Sequence, residues 1–123
     1  MMDNKLFQKV FNEIATLLPS KWDKVVIYLE HGEESYSYSF FVENAGAYTK
    51  CFDMDNFSED EMFTVFSKIE KIVSIERVKC KALWSNMTMV VDSTGAMKTD
   101  FDYTDLSNGS YQYKKLWKKK YLV

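Results

Sequence analysis

Two acidic pairs have the spacing that could do chemistry. Asp53-Met54-Asp55 and Asp100-Phe101-Asp102 each set two carboxylates two residues apart. On a strand that spacing puts both carboxylates on one face, as a divalent cation requires. Each pair lacks the usual company of such a site, a third carboxylate with a Gly turn or a histidine. A metal-dependent hydrolase built on these Asp pairs stays open as an alternative, while a negative surface needs no further assumption. His31 is the only histidine, and no Gly-x-Ser-x-Gly or Gly-rich phosphate loop is present. In a His31-Gly32-Glu33-Glu34 turn it is expected to be exposed and idle. Cys51 and Cys80 with that one histidine fall short of the four ligands of a structural zinc site. These residues imply no catalytic group, no metal and no cofactor, and no enzymatic turnover is expected.

The tail offers a different chemistry. Trp117 and Tyr121 interleave with Lys118, Lys119 and Lys120, a pattern that can stack bases and neutralise phosphates. A small nucleic-acid-binding module is therefore a second alternative. The charge of the remaining chain opposes it. Five of the 16 basic residues lie at positions 114–120, leaving 11 against all 18 acidic side chains in residues 1–113, a net of −7. Residues 30–61 hold nine acidic side chains and one basic, Lys50. So acidic a body repels a phosphate backbone and suits a basic protein partner. Trp117 and Leu122 are then expected to pin the tail to the fold, with the lysine stems reaching outward.

The elements that position these residues follow from hydrophobic period. Phe7, Val10, Phe11, Ile14, Leu17 and Leu18 form one stripe at helical spacing, with Asp3 or Asn4 as cap and Pro19 as the stop. Three strands in a meander come next, over Lys24–Glu30, Tyr36–Glu43 and Ala47–Phe52, joined by the His31–Glu34 and Asn44-Ala45-Gly46 turns. Tyr36, Tyr38, Phe40 and Val42 alternate with polar neighbours, so one sheet face should be apolar and the other polar. Ser58 followed by Glu61 is a capping box, and Phe57 with Met62 a hydrophobic staple. They open a second helix with a stripe of Met62, Val65, Phe66, Ile69, Ile72 and Val73, running to about Val78. A final hairpin turns at Asp92-Ser93-Thr94-Gly95. Met97, Thr99, Phe101 and Tyr103 face one way, Lys98, Asp100 and Asp102 the other. The tail from Tyr113 fits an amphipathic helix or strand docked on the core.

The expected fold is thus a single α+β domain over residues 1–123. It has an antiparallel sheet with two main helices packed on one face, in the order α-β-β-β-α-β-β plus a C-terminal element. The opening Met-Met-Asp-Asn-Lys lacks the apolar region of a signal peptide, and no apolar run reaches membrane-spanning length. A cytoplasmic protein with reduced thiols and no membrane contact is expected.

Several stretches in order carry a family likeness. Leu18-Pro19-Ser20-Lys21-Trp22-Asp23-Lys24-Val25 follows a P-x-x-W-x-K-V pattern, then come the acidic loop, the Ser/Glu-capped helix, Trp84 and the Gly95 hairpin. Phe101-Asp102-Tyr103-Thr104-Asp105-Leu106 and a terminal Trp117-Lys118-Lys119-Lys120-Tyr121-Leu122 complete the series. Their order and spacing across the chain resemble the YezG/EsaG-type family of bacterial immunity proteins. The resemblance implies an antitoxin that holds the nuclease domain of a cognate toxin inactive by stoichiometric binding until export by a specialised (type VII) secretion system. The family pattern tends to more arginines where this chain has Tyr113-Lys114-Lys115-Leu116, and tends to end in Gly where this one ends Leu122-Val123. These departures bear on which toxin is recognised.

Charge and resemblance meet at one point. A nuclease cleft is basic because its substrate is a polyanion, and an acidic protein can block it by complementarity. The expected partner is a toxin with a basic C-terminal nuclease domain, with no direct nucleic-acid contact; self-association stays open. The expected contact residues are Glu30, Glu33, Glu34, Glu43, Asp53, Asp55 and Glu59, with Asp100 and Asp102 second.

Overall fold

The computed structural model describes residues 4–32, 35–55, 58–81 and 83–123. Its order is α1 (Asn4–Ala15), β1 (Lys24–His31), β2 (Tyr36–Asn44), β3 (Ala47–Lys50), a 3-10 turn (Cys51–Asp53), α2 (Glu59–Lys79), β4 (Asn86–Asp92), β5 (Met97–Asp102) and α3 (Tyr111–Tyr121). The five strands make one sheet in the order β3-β2-β1-β4-β5, antiparallel at every pairing. This is the expected α+β architecture. Asp3 and Phe57, read as cap and staple, lie outside the described residues.

Period two decides the two faces of the sheet. Val25, Ile27 and Leu29 of β1, Tyr38, Phe40 and Val42 of β2, and Met87 and Met89 of β4 all point to one side. There they meet Leu6, Val10 and Ile14 of α1 and Met62, Val65, Ile69 and Val73 of α2. Two helices lie on this face, as the two stripes require. Ser58 caps α2, its Oγ accepting from the Glu61 amide at 3.4 Å. The turn between β2 and β3 puts Ala45 and Gly46 at φ of 55° and 84°, the two positive values of a two-residue hairpin turn that matches strand twist.

Three expectations change. First, α1 ends at Ala15 and the chain tightens: Leu17 and Leu18 donate to carbonyls three residues back, at 2.9 and 3.3 Å. The ring of Pro19 disfavours helical geometry at the residue before it, so the stop acts ahead of the proline. Second, the third strand ends at Lys50, and Cys51 and Phe52 belong to the 3-10 turn that redirects the chain toward α2. Third, the opposite sheet face is not simply polar. Val26, Tyr28 and Phe41 form a second cluster there with Trp117, and α3 covers it. Among the described residues no helix is long and apolar enough to cross a membrane.

Candidate functional site

Strand pairing brings three carboxylates under the last helix. Asp102 lies beside Asn86, which lies beside Glu30; Asp100 lies beside Thr88, which lies beside Tyr28. Glu30, Asp100 and Asp102 therefore share the face that α3 covers. Each accepts a bond from a tyrosine hydroxyl. Tyr28 donates to Glu30, Tyr121 to Asp100 at 2.8 Å, and Tyr113 to Asp102 at 3.0 Å. Thr104 donates to Asp102 as well, from its hydroxyl at 2.6 Å and its amide at 2.9 Å.

These bonds set the proton balance. The Thr104 hydroxyl first, then its amide and Tyr113, hold the Asp102 carboxyl below its ordinary value. Burial, then the bond to Asp100, pushes the Tyr121 hydroxyl up to about 12, so it remains a donor at neutral pH. Between β5 and α3 runs a groove of about 520 Å³, with Leu106, Leu116 and Lys120 at its margin. Asp100 and Asp102 do share a strand face, as the spacing predicts, but their bonds go to α3. Tyr113→Phe is expected to cost about 1 kcal/mol of stability, read from urea unfolding. Thr104→Val should raise the Asp102 pKa more than Tyr113→Phe does, read from its carboxyl carbon in an NMR titration.

The other acidic pair sits on a different surface. Buried Cys51 and Met54 anchor the 3-10 turn and the residue after it, while Asp53 and Asp55 stand exposed. The pair is on no strand, so the one-face arrangement expected of it is absent; the chain turns where period two would have had to continue. Asp53 and Asp55 flank a shallow groove of about 600 Å³ that also meets Pro19, Lys21 and Thr49. Glu59, with Asp60 and Glu61, follows in the exposed first turn of α2. Glu43 stands apart on β2, paired with Lys24 at 3.7 Å, and Glu33 and Glu34 lie outside the described residues. The expected contact residues thus divide among the row of carboxylates under α3, the far end of β2 and the approach to α2.

His31 overturns its expectation. It is the last residue of β1 and only 8% exposed, because alternation puts it on the same side as Ile27 and Leu29. Its Nε2 shares a hydrogen bond with the Tyr38 hydroxyl, and its ring meets Trp84 edge-on at 5.2 Å. Burial, then the Arg77 guanidinium, lowers its pKa to about 4, with Glu70 opposing. Arg77 itself donates twice to the Trp84 carbonyl, at 3.0 and 2.7 Å. This cluster seals one end of the core. Cys51 and Cys80 are free thiols. Among the described residues no three His, Cys, Asp or Glu side chains gather as a metal would need.

The residues that sequence reasoning missed are the tyrosines of α3. Tyr113, Trp117 and Tyr121 stand four apart, on one helix face, opposite a strand with acids two apart. That pair of periods was visible, but nothing local says that the two elements face one another.

The chain matches the sequence model of a family described as immunity protein YezG-like, over residues 3–123. It is similar to an immunity protein YezG of Bacillus spizizenii, 27% identical over 95% of this chain and 80% of the relative. It is also similar to an immunity protein YezG of Bacillus subtilis, 21% identical over 82% of this chain and 73% of that relative.

Proposed function

As the chain belongs to the YezG-like immunity protein family, we propose that it protects its cell by binding a cognate toxin whose active domain is a nuclease. The whole of residues 1–123 acts as one immunity domain, without turnover of its own. It acts in the cytoplasm by stoichiometric binding, before export of the toxin through a type VII system. Immunity and a toxin partner come with the family; the nuclease and the contact surface are our reading.

One observation carries that reading. From Asp53 to Glu61 the chain presents five exposed carboxylates, at 53, 55, 59, 60 and 61, with no cation among them. A cleft built to hold a polyanion has the complementary potential, which steers encounter and suppresses wrong partners. Glu30, Asp100 and Asp102 are already bonded to tyrosines, so Asp53 and Asp55 lead, with Glu59 and Glu43 behind them. The nucleic-acid alternative loses its stacking platform, since Trp117 is 5% exposed.

The test uses the active domain of a candidate cognate toxin. Alone it should cleave DNA or RNA, and one equivalent of this protein should abolish cleavage. Asp53→Lys with Asp55→Lys should slow association roughly tenfold at low salt, with the difference shrinking as salt rises. A partner without nuclease activity overturns the proposed target. Equal rates and equal salt slopes would remove these two carboxylates from the contact.

A further inference from the structure

Helix α2 also carries large apolar groups on its outer side. Met62, Val65, Ile69 and Val73 are buried against the sheet, yet Phe63, Ile75 and Val78 on the outer side stand 70%, 66% and 73% exposed. A helix that has already covered its inner face does not need large apolar groups in water. Asp60, Phe63, Lys71, Ile75 and Val78 are exposed and Ser67 is half-buried, and steps of three and four place them along one side of the helix. Their steps are 3, 4, 4, 4 and 3, the same read from either end.

A strip with that symmetry fits itself when two copies cross antiparallel. The helix runs from Glu59 to Lys79, with Ile69 at its midpoint. A two-fold axis beside Ile69 sets Phe63 of each copy against Ile75 of the other, Ser67 against Lys71 and Asp60 against Val78. The charges demand the same register. The first turn holds Glu59, Asp60 and Glu61, and the last turn Arg77 and Lys79. Crossing antiparallel brings Glu59 to Lys79 at both ends and opposes the helix dipoles. A parallel crossing would stack acid on acid. Among the described residues neither Glu59 nor Lys79 makes an ion pair within the chain.

We propose that the outer face of α2 is a homodimer interface, in which two copies pack antiparallel with Phe63 against Ile75 across the two-fold axis. The contact is isologous and closes on itself. At 1.5 Å per residue the helix is about 31 Å long, so the contact is at the small end of specific interfaces and the dimer separates on dilution.

Sedimentation velocity of the purified chain across a dilution series tests this without any toxin present. The wild type should change from twice the chain mass to the chain mass as it is diluted. Phe63→Glu and Ile75→Lys should each be monomeric across the same series, with thermal unfolding midpoints close to wild type because neither position is in the core. Mixed in equal amounts, the two variants should regain the doubled mass, because the new carboxylate at position 63 meets the new ammonium at position 75. A wild type monomeric throughout overturns the proposal, and weaker toxin inhibition by Phe63→Glu would then assign the face to the toxin. A dimer that survives Phe63→Glu also overturns it, as does failure of the mixed variants to pair. Failure here leaves the immunity reading standing, and a failed nuclease assay leaves the dimer standing.

Discussion

Trp117→Ala should lower the free energy of unfolding by about 3–5 kcal/mol, a large share of the roughly 5–15 kcal/mol that a domain of this size has. The indole is the centre of the second core cluster. It meets Tyr28 edge-on at 4.9 Å, Phe41 at 5.6 Å and Tyr121 at 5.3 Å, and its N–H donates to the Thr88 hydroxyl at 2.9 Å. Thr88 is 1% exposed and in turn donates to the Asn86 side chain at 2.7 Å. Truncation removes the buried ring and also leaves that network without its outer donor. Trp117→Phe should keep most of the packing and lose only the bond, costing about 1–2 kcal/mol. Urea unfolding of the three proteins gives the comparison, and hydrogen exchange in α3 should quicken most in the alanine variant. A loss under 1 kcal/mol for Trp117→Ala would mean that the tyrosine hydroxyls, rather than the indole, hold the helix.

Acid should destabilise the protein between pH 6.5 and 4, and His31 supplies the slope. Free in the unfolded chain its imidazole takes a proton near pH 6.5; folded, burial and Arg77 delay that to about 4. Between those values the unfolded state binds the extra proton, so stability falls as pH falls. The contribution is complete above pH 6.5 and lost by about pH 4, amounting to up to about 3 kcal/mol. Of the charged groups that face the ring, Arg77 from α2 repels the imidazolium more than Glu70 attracts it, and the Tyr38 hydroxyl shares a hydrogen bond with Nε2. The window from 6.5 to 5 is the diagnostic part, because carboxylates titrate below it. His31→Gln should flatten the dependence of unfolding free energy on pH there, whatever its stability at neutral pH. An unchanged slope would assign the acid sensitivity to other groups.

Much of the architecture was legible from local pattern. The stripes of α1 and α2, the alternation in β2, the Ser58 cap and the Gly95 turn each depend on residues within a few positions of one another. Helical and strand periods, capping bonds and turn dihedrals are local physics, so the elements and the antiparallel α+β class could be read directly. The order and spacing of motifs also pointed to the immunity family. The acidic character of residues 30–61 was visible by counting, but its division among three surfaces was not.

What needed the tertiary structure was every pairing across the sheet. β1 lies between β2 and β4, and only that order aligns Glu30, Asn86 and Asp102 in one row. Only the docking of α3 turns Asp100 and Asp102 into acceptors for Tyr121 and Tyr113, rather than a free negative surface. His31 shows the same division: its parity with Leu29 was in the sequence, but its burial depends on Trp84, Tyr38 and Arg77 arriving from three other segments. Period fixes which side of an element a residue takes. What covers that side is a contact between distant parts of the chain, and no local pattern encodes it.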